Sequence, residues 1–312
     1  TLDKNIGLDL TLLNNRLNVN LDYYDKLTDP LLAAVSVPSS VGSKRVMTNV
    51  GSQRTQGVSG TVKYSHVYHP EERINWTLRA SFKHQKAKYE DIGNSLDQFN
   101  KENLNTSLVR YYDGGSPTAL WAVRSLGINP SDGRELFLTK EGTYTFEYDT
   151  EDEVVVGNSE PKLEGVLGST LYWKDFSFSL YFRYSLGADV FTEATYNKVE
   201  NISLAGLKSN QDKRALHDRW QKPGDHAKFK GISLTETTPI SSRFVLRENY
   251  IKAESISVGY DFESQAVQKL GIQSLRLQAN TTDLFRISSI KEERGIEYPF
   301  ARSFSFSLSA MF

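Results

Sequence analysis

Arg302-Ser-Phe-Ser-Phe-Ser-Leu-Ser-Ala-Met-Phe312 decides the fold. In an extended chain successive side chains point to opposite faces. Phe304, Phe306, Leu308, Ala310 and Phe312 therefore share one side, and Ser303, Ser305, Ser307, Ser309 and Met311 the other. The run is about ten residues long and carries no charge after Arg302, whereas strands of soluble sheets usually have about five or six residues. A tilted strand needs about nine to eleven residues to cross a bilayer. The stretch reads as a membrane-crossing strand, with its apolar side toward lipid and its serines toward a lumen. The competing reading is an edge strand of a soluble sandwich.

The same alternation recurs upstream. Ile6, Leu8, Leu10 and Leu12 form one face of a first strand, and Leu17, Val19, Leu21 and Tyr23 one face of a second, with the polar turn Asn14-Asn15-Arg16 between them. Further strands are expected over 54–68, 74–88, 160–173, 176–186, 243–262 and 272–284, before the closing one. Within 243–262 the apolar phase slips between Ala253 and Ile256, which predicts a β-bulge at Glu254-Ser255. The connections alternate in length. Those after the first, third, fifth and seventh strands are short; that over 28–53 is long, those over 89–159 and 187–242 are very long, and that over 285–301 is moderate. A short helix is expected near 118–125 in the first very long loop. Sorting loop length by parity is what an outer-membrane barrel does, with turns on the periplasmic side and loops outside; a soluble sandwich has no reason to do so.

Composition narrows the class further. Hydrophobic residues make up 38% of the 312, compatible with a barrel because only alternate strand residues face lipid. The longest clean apolar run, Leu31-Leu-Ala-Ala-Val35, is far too short for a spanning helix. The 16 Tyr and 16 Phe suit the aromatic girdles of a barrel, or equally an aromatic-rich sandwich core. A net charge of −1 gives no basic field for nucleic acid. There is no cysteine, hence no thiolate metal site and no disulfide. Nine strands are odd in number, and an unclosed sheet would leave bare edges in lipid. The 312 residues are therefore expected to be the C-terminal part of a larger barrel, with Thr1 on the extracellular side.

Four ordered stretches carry a family resemblance. They are Gly7-Leu-Asp-Leu-Thr-Leu-Leu-Asn-Asn-Arg-Leu17 with Tyr23-Tyr24-Asp-Lys26 and Thr48-Asn-Val-Gly51; Gly127-Ile-Asn-Pro130 through Gly133-Arg-Glu-Leu-Phe137; His217-Asp-Arg-Trp220 with Lys222-Pro-Gly-Asp225; and Ser242-Arg-Phe244, Asn249-Tyr-Ile251, Ile256-Ser-Val-Gly-Tyr260, Tyr298-Pro299 and Phe312. Together they resemble the C-terminal part of SusC/RagA-type TonB-dependent transporters. The resemblance implies an all-β fold, a transmembrane antiparallel β-barrel with 22 strands and a plug. Residues 1–312 would supply its last nine or so strands and long extracellular loops, the plug domain and N-terminal strands being absent. It implies a Gram-negative outer membrane and active import of oligosaccharides or peptides. The implied partners are the rest of the transporter, a SusD-like surface lipoprotein, TonB through the absent plug, and outer-membrane lipid. It implies that Phe312 is read by the barrel-assembly machinery. The alternative function is a soluble all-β carbohydrate-binding or glycan-degrading module.

No catalytic motif stands out, and no cofactor is expected. His217, Asp218, Asp225 and His226 share one loop and could hold a metal, or could be a solvated polar loop. Tyr111, Tyr112 and Trp121 in the first very long loop, and Trp220 in the second, are the candidate ligand contacts, because aromatic faces stack on sugar rings and peptide side chains. The other reading of the four is that they form the loops' own small cores or a partner interface.

Overall fold

The structure, a computed structural model, describes residues 1–36, 45–233, 235–262, 271–291 and 302–312. Residues 263–270, where a short connection is expected, and the Tyr298-Pro299 pair lie outside the described residues.

The alternating segments form one antiparallel meander. β1 (Leu2–Leu12) and β2 (Leu17–Thr28) pair first. A small hairpin, β3 (Leu32–Ser36) and β4 (Arg45–Asn49), follows inside the long 28–53 connection. β5 (Ser52–His69) and β6 (Ile74–Glu90) return to the main sheet. In the first very long loop, β7 (Ala119–Ile128), β8 (Glu135–Leu138), β9 (Tyr144–Thr145) and β10 (Glu153–Asn158) make a separate four-stranded sheet, ordered β10-β7-β8-β9. β11 (Leu163–Trp173), β12 (Phe176–Phe191), β13 (Val245–Phe262), β14 (Ser274–Thr282), a short β15 (Arg286–Ser288) and β16 (Phe304–Met311) complete the wall. Its order is β1-β2-β5-β6-β11-β12-β13-β14-β16, with β15 beside β13, and it does not close on itself.

The register carries the apolar faces across the sheet in rows. One row runs Leu21, Gly60, Phe82; another runs Leu171, Phe178, Val258, Ala279, Phe306. Leu21, Leu167, Val258 and Leu277 on the interior strands are 38%, 41%, 45% and 42% exposed on this face, a broad band of apolar surface with none of the described residues over it. Burial in water would never leave such a band bare; contact with lipid does not penalise it. The opposite face carries Lys63 beside Arg79, Asn280 beside Ser305 and Gln278 beside Ser307.

Three local devices hold this register. Large rings lie over cross-strand glycines, as in the pairs Gly60–Phe82 and Gly168–Tyr181. A Cβ on Gly60 would meet Phe82 Cε1 at 2.6 Å, and one on Gly168 would meet Tyr181 Cε1 at 2.8 Å. The expected bulge is present: Tyr181 faces Ser255 and Phe182 faces Ala253, which leaves Glu254 as the extra residue. Glu254 then pairs with Arg183 at 2.6 Å on the polar face. At the short-turn end, aromatic rings meet in two chains. Tyr64, His66 and Trp76 have centroids 5.8 and 5.0 Å apart. Trp173, Phe176, Tyr260 and Phe262 follow at 6.2, 4.7 and 4.7 Å.

One expectation is corrected. Residues 118–125 are not helical, since Ala119–Ile128 is the strand β7. Leu120 and Ala122 pack on one side with Leu108 and Ile240, while Trp121 projects from the other, a two-residue period that a helix would destroy. The helix of this loop, α1, lies earlier, at Asp97–Glu102.

The two faces can be told apart by charge. Phe306→Arg should destabilise the intact transporter by about 2–4 kcal/mol, while the neighbouring Ser305→Arg should cost far less. Urea titration of the heat-shifted gel band reads both; equal costs would refute the assignment of faces.

Candidate functional site in the loop body

The long connections gather into a folded body at one end of the wall, and β12 and β13 carry it. A bulge puts Leu186 and Gly187 opposite Asn249, with Ser185 facing Tyr250 and Ala188 facing Glu248. Gly187 sits at φ +80°, which favours glycine, and its N–H donates to Asn249 Oδ1 at 2.7 Å. Beyond the bulge Arg247 pairs with Asp189 at 3.0 Å, and Asp189 accepts the backbone N–H of Asn158 at 2.9 Å. That pair docks β10 on the wall. Leu108, Leu120, Ala122 and Ile240 form the small core beneath it, with Phe191 and Val245 from the strand tips.

Buried ion pairs hold the rest. Arg243 Nη2 lies 2.9 Å from Glu135 and 2.9 Å from Glu200, carboxylates that are 2% and 0% exposed. Ser241 donates to Glu135 at 2.6 Å, Thr238 donates to Glu200 at 2.9 Å, and Arg243 also donates to the Lys228 carbonyl at 2.7 Å. Burial pulls the Arg243 pKa down, but the hydrogen-bonded carboxylates outweigh it and raise the pKa above the ordinary value. A second pair, Arg110–Glu153, is bidentate at 2.8 and 2.9 Å and ties the 107–110 segment to β10. Its Nη1 donates to the carbonyls of Ser107 and Val109.

Three of the stretches that carried the resemblance meet here. Trp220 Nε1 donates to the Pro130 carbonyl at 3.0 Å, and Gly224 N–H donates to the same carbonyl at 2.9 Å. Gly133, at φ +73°, lies under the Trp220 ring, where a Cβ would meet Cδ2 at 2.5 Å. Glu135 lies in the same stretch as Pro130 and Gly133, and its pair with Arg243 ties the 242–244 stretch to it. These residues are architecture for the loops.

The candidate ligand contacts divide. Tyr112 and Trp121 come together, centroids 5.0 Å apart, and line an open cleft of about 1330 Å³ with Asp97, Lys101, Lys140 and Glu141. Tyr111 instead packs between Tyr89 and Phe99, at 5.5 and 5.4 Å, over a core of Val50, Ile92 and Leu96. Trp220 is the latch just described. Asp225 accepts the backbone N–H groups of Gln221 and Lys222, and Asp218 lies 3.7 Å from Lys228. Among the described residues no group of three or more His, Asp or Glu side chains converges for a metal. Sequence reasoning missed Arg110, Glu135 and Arg243 as individuals, although two of them stood inside quoted stretches.

A meander with a bare apolar band, aromatic chains at the turn end and a loop body at the other is the wall of a membrane-spanning β-barrel. Residues 3–135 match the family described as TonB dependent receptor-like, beta-barrel. The chain is 23% identical over 339 aligned positions to a TonB-dependent receptor of Formosa agariphila, covering 93% of this chain and 32% of that one. It is 24% identical over 332 positions to the TonB-dependent receptor SusC of Bacteroides thetaiotaomicron, covering 99% and 31%. Among solved structures, the RagAB peptide transporter superimposes with a TM-score of 0.76 at 18% identity, over 92% of this chain and 32% of that chain. The chain thus spans about a third of the length of these relatives. Its residues 3–135 match a TonB-dependent receptor β-barrel, and nearly its whole length is similar to part of SusC and shares its fold with part of the RagAB transporter.

Arg243→Ala should strand two buried carboxylates and cost the loop body about 3–5 kcal/mol. Limited proteolysis should then cut within 187–242 while the barrel keeps its heat-dependent gel shift; an unchanged digest would refute the role. Tyr148 supplies a pH test. Its hydroxyl donates to the Ile240 carbonyl at 3.1 Å, and burial, then the Glu153 charge, raise its pKa. A raised folded pKa favours the folded state fully below the unfolded value of about 10. That contribution is lost as pH rises toward the folded value, and Tyr148→Phe should remove this part of the alkaline loosening.

Proposed function

We propose that this chain forms the C-terminal part of the wall and the extracellular loops of an active importer in the outer membrane of a Gram-negative bacterium. The short turns face the periplasm and the loop body faces outward. The importer takes up oligosaccharides or peptides, with a SusD-like lipoprotein over the loops. The plug, and with it the TonB contact, belongs to the rest of the transporter, which also supplies the other strands. Phe312, 80% exposed at the end of β16, serves as the residue read during barrel assembly.

One observation carries the reading: an apolar band laid in register across the wall, with folded loops gathered at one end only. A soluble binding module would cover that band with a second layer. The similarity to SusC and to the RagAB peptide transporter supports the same conclusion.

Tyr112 and Trp121 are the residues we place against the substrate, because their rings line a cleft wide enough for several sugar or peptide units. Tyr111 and Trp220 act by holding the loops in place. The test uses the intact transporter in its own outer membrane. Uptake of fluorescent oligosaccharides and of fluorescent peptides is measured for the native protein and for Tyr112→Ala with Trp121→Ala. Losing two ring contacts should lower uptake of one class by about tenfold, with the heat-dependent gel shift unchanged. No uptake of either class by the native protein would sink the import reading, and full uptake by the double variant would remove the two rings from the site.

A further inference from the structure

Above the apolar band the wall has a window. Pairing of β11 with β6 ends at Glu164 opposite Lys83, while β6 runs on to Glu90. The next partner is met at Tyr89, whose N–H donates to the Gly115 carbonyl and whose carbonyl accepts from Gly114 N–H, both at 2.9 Å. Between these ties the edge of β6 is unpaired. Gln85 and Ala87 share the orientation of Tyr89, so their N–H and C=O groups point into the gap. Below, His84 Nδ1 lies 2.7 Å from the Lys162 carbonyl. The far side is built by Val155–Pro161 and by Gly187, Asp189 and Arg247, enclosing a groove of about 500 Å³.

The charge of the groove is lopsided. Both of its carboxylates are engaged: Asp189 by Arg247 and the Asn158 N–H, Glu160 by the Gln85 amide. Lys86 and Lys162 are exposed, line the groove, and form no ion pair among the described residues. Two ammonium groups and the inward N–H groups thus remain to meet an anion.

Position says which anion. Register puts His84 and Lys86 on the same face as Phe82 and Ala80, one and two steps above the band. A lipid whose tails lie along Phe82, Leu167 and Phe182 would bring its headgroup to this height. We propose that the groove holds the phosphate of an outer-leaflet lipid headgroup, with Lys86 and Lys162 as the paired cations. A peptide carboxylate would be approached from the lumen or the loops, whereas Lys86 follows directly on the lipid-facing row of β6 and Lys162 lines the same groove from just ahead of β11. The proposal rests on the membrane reading of the wall, and the test keeps the two apart.

The intact transporter with all its chains is placed in nanodiscs of phosphatidylethanolamine containing a minor share of diphosphorylated lipid A, and bound lipids are counted by native mass spectrometry. Lipid A should be retained in preference to phosphatidylethanolamine. Lys86→Ala and Lys162→Ala should each lower its retention about fivefold, and the lumenal Lys63→Ala should not. Inorganic phosphate alone should leave no adduct; an adduct without lipid would overturn the lipid assignment. Equal retention of the two lipids, or undiminished lipid A on a Lys86→Ala, Lys162→Ala protein that still shows its heat shift, would also overturn it. A native protein that never shows the heat shift would instead refute the membrane reading.

Discussion

A bilayer interior offers no water to an unpaired N–H or C=O, and each one left bare costs several kcal/mol. This constraint accounts for the antiparallel ladder in which every crossing strand meets its neighbour along the membrane depth. It explains why rings cover cross-strand glycines, since a bare glycine pair would leave the ladder open to slippage. It also explains the bulge at Glu254: one extra residue resets the faces and turns a charged side chain toward Arg183 instead of lipid.

The loop body meets a related problem with charges. Long segments must be held in fixed shape at the end of a sheet, with only small apolar clusters beneath them. Arg243 solves it by bridging carboxylates from two different loops, and Arg110 by clamping a third segment to β10. Such pairs add little net stability over apolar packing, but they tolerate no substitute partner. They specify one loop arrangement, and with it the placing of the Tyr112–Trp121 pair over its cleft.

What could be read in the sequence follows from range. The wall was legible because a two-residue period is local, as Phe304 to Phe312 shows, and because the slip between Ala253 and Ile256 betrays the bulge within a few residues. β7 was misread because residues 119–123 are apolar on both faces, a pattern common to buried strands and buried helices. The hairpin of β3 and β4 was lost in a loop rich in proline and glycine. The ion pairs could not be read, since Arg243 finds Glu135 across 108 residues and Arg110 finds Glu153 across 43. The resemblance pointed to the right segments without saying that their task is to hold one another. Of the aromatic candidates, composition could not separate rings that fill a core, as Tyr111 does, from rings that face open space.

The aromatic chains from Tyr64 to Trp76 and from Trp173 to Phe262 mark one end of the wall only. Their rings favour the zone where hydrocarbon gives way to water, so they act as a keel at a fixed draught. The height at which Lys86 and the Asp189–Arg247 pair stand above that keel then sets how thick a hydrocarbon layer the wall accepts.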